Sequence, residues 1–235
     1  MRASACVVIT VFLGLQVCAG GGGTPTVDQR SGKGGNKQTL IATMFGEPLY
    51  LEQVTPANDE IKRKELPRSE FDKWLRKYQG RRTYENVWGA VRRRYVKREK
   101  LTVSEEELAA IAKSVERRLK SAPELPEGTT TFTPAERKRM MVVWACASLM
   151  DWKVCKSLYE KYGGRVGIGS LGAWTAFDGQ NALLREHHKA GDITFHSAEM
   201  EDAFWQHTKI ENFADAYPKG ERLKRFLATP PHLQD

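Results

Sequence analysis

Ser69 to Lys100 reads SEFDKWLRKYQGRRTYENVWGAVRRRYVKREK, and its spacing decides the fold class. Phe71, Trp74, Leu75 and Tyr78 fall at i, i+3, i+4 and i+7, one face of an α-helix, with Ser69 as N-cap and Gly80 placed to close the segment. Tyr84, Val87, Trp88, Val91 and Tyr95 repeat the pattern. Two amphipathic helices are therefore expected, the second running to about Lys100, with Gly89 as a weak point or a place of close backbone approach.

Downstream the helical signals continue. Ser104 with Glu107 forms a capping box ahead of the stripe Leu108, Ile111, Val115 and Leu119, and Pro123 and Pro126 end that helix. Thr133-Pro134-Ala135-Glu136 combines an N-cap, a proline at the first helical position and a glutamate three residues after the cap. Met140 to Met150 holds only Ser148 as a polar residue, so this helix is expected to be buried on nearly all sides, with Trp144 in the core. Removing such a ring would cost about 3–5 kcal/mol. The pattern runs through Trp152, Cys155, Leu158, Tyr159 and Tyr162 to the stop at Gly163-Gly164. Val166 to Phe177 reads as irregular, Asp178 to Ala190 as a helix closed by Gly191, and Ser197 to His207 as a helix with Met200, Phe204 and Trp205 inward. Upstream, LIATMFGEPLYLEQV (40–54) reads as a strand, a tight turn at Gly46 and Pro48, and a second strand or helix entry. The expected fold is mainly α with a small N-terminal β-hairpin.

Ahead of this body, Met1-Arg2 gives a positive start, Ala5 to Val17 is almost uninterrupted apolar sequence, and Val17-Cys18-Ala19 offers small residues before Gly20. That is the pattern of a signal peptide over 1–19, too short to span a bilayer, and it implies a secreted or periplasmic protein. Lipidation at Cys18 is the alternative. Residues 20–39, with seven glycines before Lys37, form a flexible linker. The expected segments after it are 40–122, hairpin and helices; 132–217, a helical second half packed on the first; and 218–235, a tail.

The chain has 37 Lys and Arg against 29 Asp and Glu, a net charge of +8, and the excess is local: 62–100 holds 15 basic residues against 5 acidic, 101–235 holds 18 against 19. Arg93, Lys97 and Lys100 share a face away from the aromatic stripe, able to meet an anionic envelope surface or simply to be solvated. Export and aromatics at core spacing argue against nucleic acid. Once 1–19 is removed, Cys146 and Cys155 are the remaining thiols, and on one helix they stand on opposite faces about 13.5 Å apart, beyond disulfide reach. No metal or cofactor motif and no catalytic constellation is present, and His187 and His188 suit a helix C-terminus.

Two stretches carry a resemblance. ATMFGEPLYLEQV, through Gly46, Leu49, Glu52 and Val54, resembles the strand–turn motif that opens the N-terminal domain of SurA-type periplasmic chaperones and parvulin-type peptidyl-prolyl isomerases. WGAVRRRYVKREKLTVSEEELAA resembles the same domain's helix, turn and next helix start, so the likeness covers roughly 40–120. The second half, WKVCKSLYEKYGGRV and AGDITFHSAEMEDAFW, looks like exported bacterial proteins with this region but no parvulin domain. The resemblance implies an exported chaperone-like protein that binds unfolded or extended polypeptide without catalysis, with Phe45, Trp74, Tyr78 and Trp88 as peptide-binding residues. The alternatives are a peptidyl-prolyl cis-trans isomerase, for which no catalytic domain is recognised, and a basic envelope protein that binds anionic surfaces through Arg93, Lys97 and Lys100. On the export reading, N-terminal sequencing of protein recovered from the producing cell starts at Gly20; a retained Met1 or a lipidated Cys18 refutes it.

Overall fold

A computed structural model describes residues 38–57, 66–121, 132–168, 174–209 and 220–230. The fold is mainly α-helical, with a small N-terminal hairpin. Its elements are β1 (Leu40–Met44), β2 (Glu47–Tyr50), α1 (Leu51–Val54), α2 (Arg68–Arg98), α3 (Glu105–Ser121), α4 (Pro134–Tyr162), β3 (Val166–Ile168), β4 (Trp174–Ala176), α5 (Phe177–Lys189), β5 (Ile193–Phe195), α6 (Ala198–His207) and α7 (Glu221–Ala228). Among the described residues, no helix is long and apolar enough to cross a membrane. Contacts divide the described residues into two compact units, one drawn from 35–102 and 150–230, the other from 103–149. The segments 40–122 and 132–217 each contribute to both.

The larger unit is organised by α2. Gly80 does not end a helix: the two expected helices are one, 31 residues long. Counted at 100° per residue, the stripe Phe71–Trp74–Tyr78 and the stripe Gly80–Tyr84–Val87–Val91 lie on nearly opposite faces of that helix. The change of face, rather than a chain break, is what the periodicity registers. The second face packs on α6, and a Cβ added at Gly80 would stand 2.6 Å from the carbonyl oxygen of Ala203. Gly89, in contrast, has no neighbour closer than 3.6 Å, the Arg93 guanidinium, so the close approach lies at Gly80. Thr83, Tyr84, Val87, Ala90, Val91 and Tyr95 complete the buried face.

Tyr95 Oη and Ser157 Oγ are 2.7 Å apart and Arg92 donates to Asp151 at 2.6 Å, fixing α2 to the second half of α4. Gly179 of α5 lies against the Leu158 carbonyl, 3.0 Å from where its Cβ would be. Helix α7 is held by Phe226, whose ring stacks on Trp174 at 3.8 Å and whose carbonyl accepts from Trp152 Nε1 at 2.9 Å.

The hairpin turns at Phe45-Gly46, both with positive φ (52° and 84°), the pattern of a type I′ turn. The non-glycine position is held by a bond from Phe45 N–H to the Asp192 carbonyl at 2.6 Å. Strand β1 is central in the order β2-β1-β5, antiparallel to both, with Thr43 opposite Pro48 on one side and Thr194 on the other. The expected irregular stretch 166–177 instead contains the antiparallel pair β3–β4 and the first residue of α5. Three-residue strands carry too little alternation to be read locally.

In the smaller unit both capping boxes form. Ser104 N–H donates to Glu107 Oε2 at 2.8 Å and Glu107 N–H to Ser104 Oγ at 3.2 Å; Thr133 and Glu136 repeat the exchange at the same distances. Lys138 pairs with Glu116, setting the start of α4 beside the end of α3. The expectation of all-round burial over Met140–Met150 fails. Leu149 is buried, but Trp144 is 64% exposed, while Met140, Met141 and Val143 are half-buried. A helix that is apolar on every side needs neighbours on every side. Within this unit, 103–149, the described part contains one other helix, α3.

The two glycines of α2 give opposed expectations. Gly89→Ala raises stability by about 0.5–1 kcal/mol, the ordinary gain in a helix interior. Gly80→Ala meets backbone at 2.6 Å and lowers it by about 1–3 kcal/mol despite the same propensity gain. Urea denaturation of the two variants checks both signs; stabilisation by Gly80→Ala would show that α2 and α6 are not in backbone contact.

Candidate functional site

Four aromatic residues and three cations were singled out from the sequence, and the structure separates them. Trp74 is half-buried on α2, its ring 5.5 Å from Phe71 and 5.5 Å from Tyr78, tilted by 42° and 45°. The Arg81 guanidinium extends the row, 5.3 Å from the centre of the Tyr78 ring. Phe71, Trp74 and Tyr78 are spaced one helical turn apart because the residues fall at i, i+3 and i+7, and all three are half-buried. By helix geometry their stripe faces away from α6, which takes the Gly80 side. Gln79, next to Tyr78, bonds Thr55 just after α1 at 3.4 Å.

Phe45 belongs elsewhere. Its ring is covered by the Arg94 guanidinium at 3.8 Å and the His187 ring at 5.1 Å. Arg94 lies twenty residues, or ~30 Å, along α2 from Trp74. Trp88 is half-buried, about 15 Å beyond Tyr78 and roughly 80° round the helix. Trp74 and Tyr78 therefore share a surface, whereas Phe45 and Trp88 stand apart from it. Phe71 joins the row although its spacing alone does not mark it as a surface residue, because half-burial leaves the same periodicity as full burial.

Of the basic run, Arg92 is taken by Asp151, Arg94 by Phe45, and Arg98 by Glu99 and the Tyr95 ring. Arg93, Lys97 and Lys100 are exposed, and make no ion pair among the described residues. Lys100 sits just past α2 with φ of 52°.

Groups capable of chemistry are dispersed into structural contacts. His187 bonds Asp192 at 2.8 Å, His196 bonds Thr43 at 2.8 Å across β5 and β1, and His188 stands 3.4 Å from Glu201. Burial holds the His207 imidazole below its ordinary pKa, against the Tyr84 ring. Burial, helped by the Asp151 charge, pushes the Cys155 thiol up to about 12, and burial also raises that of Cys146, so both stay protonated at neutral pH. Both cysteines are free. Among the described residues no group of three or more His, Cys, Asp or Glu is placed to hold a metal ion. The aromatic row offers apolar area with polar rims, which suits binding of apolar side chains. No family model, curated protein or solved structure matches the chain.

Half-burial sets the expected cost of removing these rings. Trp74→Ala or Tyr78→Ala lowers stability by about 1–2 kcal/mol, less than the ~3–5 kcal/mol of a fully packed aromatic, and leaves the helical circular dichroism unchanged. A denaturation midpoint collapsing as for a core deletion would place the stripe inside the fold.

Proposed function

We propose that the chain is an exported, chaperone-like protein that binds unfolded or extended polypeptide through the aromatic row of α2. The observation that carries the reading is three half-buried rings at 5.5 Å intervals on the helix face opposite the packing face. Each ring leaves part of its apolar face to solvent, with geometric tolerance about what covers it. A row of this kind holds apolar side chains of many sequences without fixing one register, as a binder of unfolded chains requires. Support also comes from the likeness of Gly46, Leu49, Glu52 and Val54 to the opening motif of SurA-type domains. Binding of this kind needs no reacting group.

A second reading rests on Arg93, Lys97 and Lys100, three exposed cations near the far end of the same helix, which suit an anionic envelope surface. Salt separates the two. Apolar burial is not screened, whereas cation–anion attraction falls steeply between low salt and 0.5 M, where the Debye length is only a few Å.

The test is the rate at which a chemically unfolded client aggregates in the presence of the chain. Wild type slows aggregation with little dependence on salt, and the Trp74→Ala, Tyr78→Ala double variant needs roughly tenfold more protein for the same protection, the scale of a lost hot spot. Reversing Arg93, Lys97 and Lys100 to Glu leaves protection intact. Loss of protection in that triple variant would move the function to the basic face. Acceleration of a proline-limited refolding phase, which otherwise takes tens of seconds at 25 °C or longer, would make the protein an isomerase.

A further inference from the structure

We propose that Trp152 and Trp174 form a peptide socket that α7 fills as a displaceable occupant, and that an aromatic residue of an extended polypeptide binds there when α7 leaves. The chemistry of the socket is visible in its present occupant. Phe226 is 4% exposed, its ring stacks on Trp174 at 3.8 Å and 29°, and its carbonyl accepts from Trp152 Nε1 at 2.9 Å. Trp152 is itself buried on α4, with Lys156 Nζ 5.2 Å from the centre of its ring. Two groups of one residue are thus recognised together, an aromatic ring and its own main-chain oxygen.

That oxygen is available for a reason written in the sequence. In a continuing helix the Phe226 carbonyl would accept from the N–H four residues on, but that residue is Pro230, which has none. The Trp152 indole takes the place of the missing donor. An aromatic residue inside an ordinary helix has its carbonyl consumed by the helix, whereas in an extended chain ring and carbonyl are both free. A ligand that covers Trp152 without offering an acceptor leaves a buried donor unpaired. The socket therefore selects by backbone state, and its ligand class is an extended segment carrying Phe, Tyr or Trp.

Little holds α7 in place. It has eight residues, and isolated helices that short are not stable in water, so it is helical only while docked. Phe226 is its one buried residue; Leu223 and Leu227 are half-buried, and Arg222, Lys224 and Arg225 are exposed, as suits a segment that spends time in water. Undocking removes one side chain from the fold and leaves α2 with its packing on α6 unchanged. The socket shares no residue with the aromatic row of α2.

Fluorescence anisotropy of a labelled peptide of residues 220–230 with the full-length chain tests this. Wild type binds it weakly, because the tethered α7 outcompetes a free copy. Phe226→Ala empties the socket and lowers Kd at least about tenfold with wild-type helicity; adding Trp152→Phe, which keeps a ring but no N–H, raises Kd about tenfold again. An unstructured peptide of unrelated sequence with one Phe competes with the labelled peptide, and its Phe→Ala form does not. On the unmodified chain, hydrogen exchange protects amides 224–229 at least about a hundredfold less than those of Val91 and Leu158. Equal protection overturns the proposal, as does a Phe226→Ala chain that unfolds or binds the peptide no better than wild type. Competition by the 220–230 sequence alone would restrict the socket to the chain's own tail and overturn the assigned ligand. None of these readouts depends on Trp74 or Tyr78, so failure here and failure of client protection by the α2 row are separate results.

Discussion

The carbonyl of Ala203 occupies the space beside α2 where any residue but glycine would put a Cβ, 2.6 Å from Gly80. That contact lets α6 lie directly on α2, and the arrangement of the larger unit follows from it. With α6 in place, Phe204 is buried, its ring 6.2 Å from Tyr84 and 5.0 Å from Phe195. Phe195 in turn belongs to β5, the strand that completes the sheet on β1. An Arg76–Glu199 pair at 2.6 Å closes the same interface at its rim, where solvent screening makes it worth little. Backbone proximity and aromatic packing set the arrangement, and the ion pair decorates it.

Because α6 takes the Gly80 side of α2, the earlier stripe is left over. A single straight helix cannot bury two opposite apolar faces against one neighbour. Phe71, Trp74 and Tyr78 are therefore half-buried rings on a rigid rod, and this is what makes them suitable for transient apolar ligands. Rigidity matters because a preformed row loses little entropy when a ligand covers it. Half of the basic residues beyond Gly89 are engaged by structure: Arg92, Arg94 and Arg98 each have a partner, whereas Arg93, Lys97 and Lys100 make no ion pair among the described residues.

The exposed Trp144 follows from the same reasoning in the smaller unit. Two helices can bury one seam each, and α4 carries two. The α2 row and this stripe differ in kind: the first is three neighbouring half-buried rings, the second a helical stripe with a single exposed ring, Trp144.

The amino-acid sequence by itself determined the helical class, the capping boxes at Ser104 and Thr133, the helix over Ser197–His207, the α4 stop at Gly163 and a tight turn that includes Gly46, though the structure puts it at Phe45-Gly46 and Pro48 within β2. Each depends on residues within four positions of one another, so local spacing is sufficient to specify it. It also placed Trp74 and Tyr78 on one face. Tertiary structure alone decided that Gly80 joins rather than ends a helix, that Ile193–Phe195 is the third strand, that Phe45 lies under Arg94, and that Trp144 faces solvent. In every one of these the outcome depends on a neighbour far away in the chain: Ala203 for Gly80, β1 for β5, Arg94 for Phe45, and for Trp144 the lack of a second helix on that side among the described residues. Periodicity states which faces are apolar, but burial is a property of pairs of surfaces, and the second surface is supplied only by the fold.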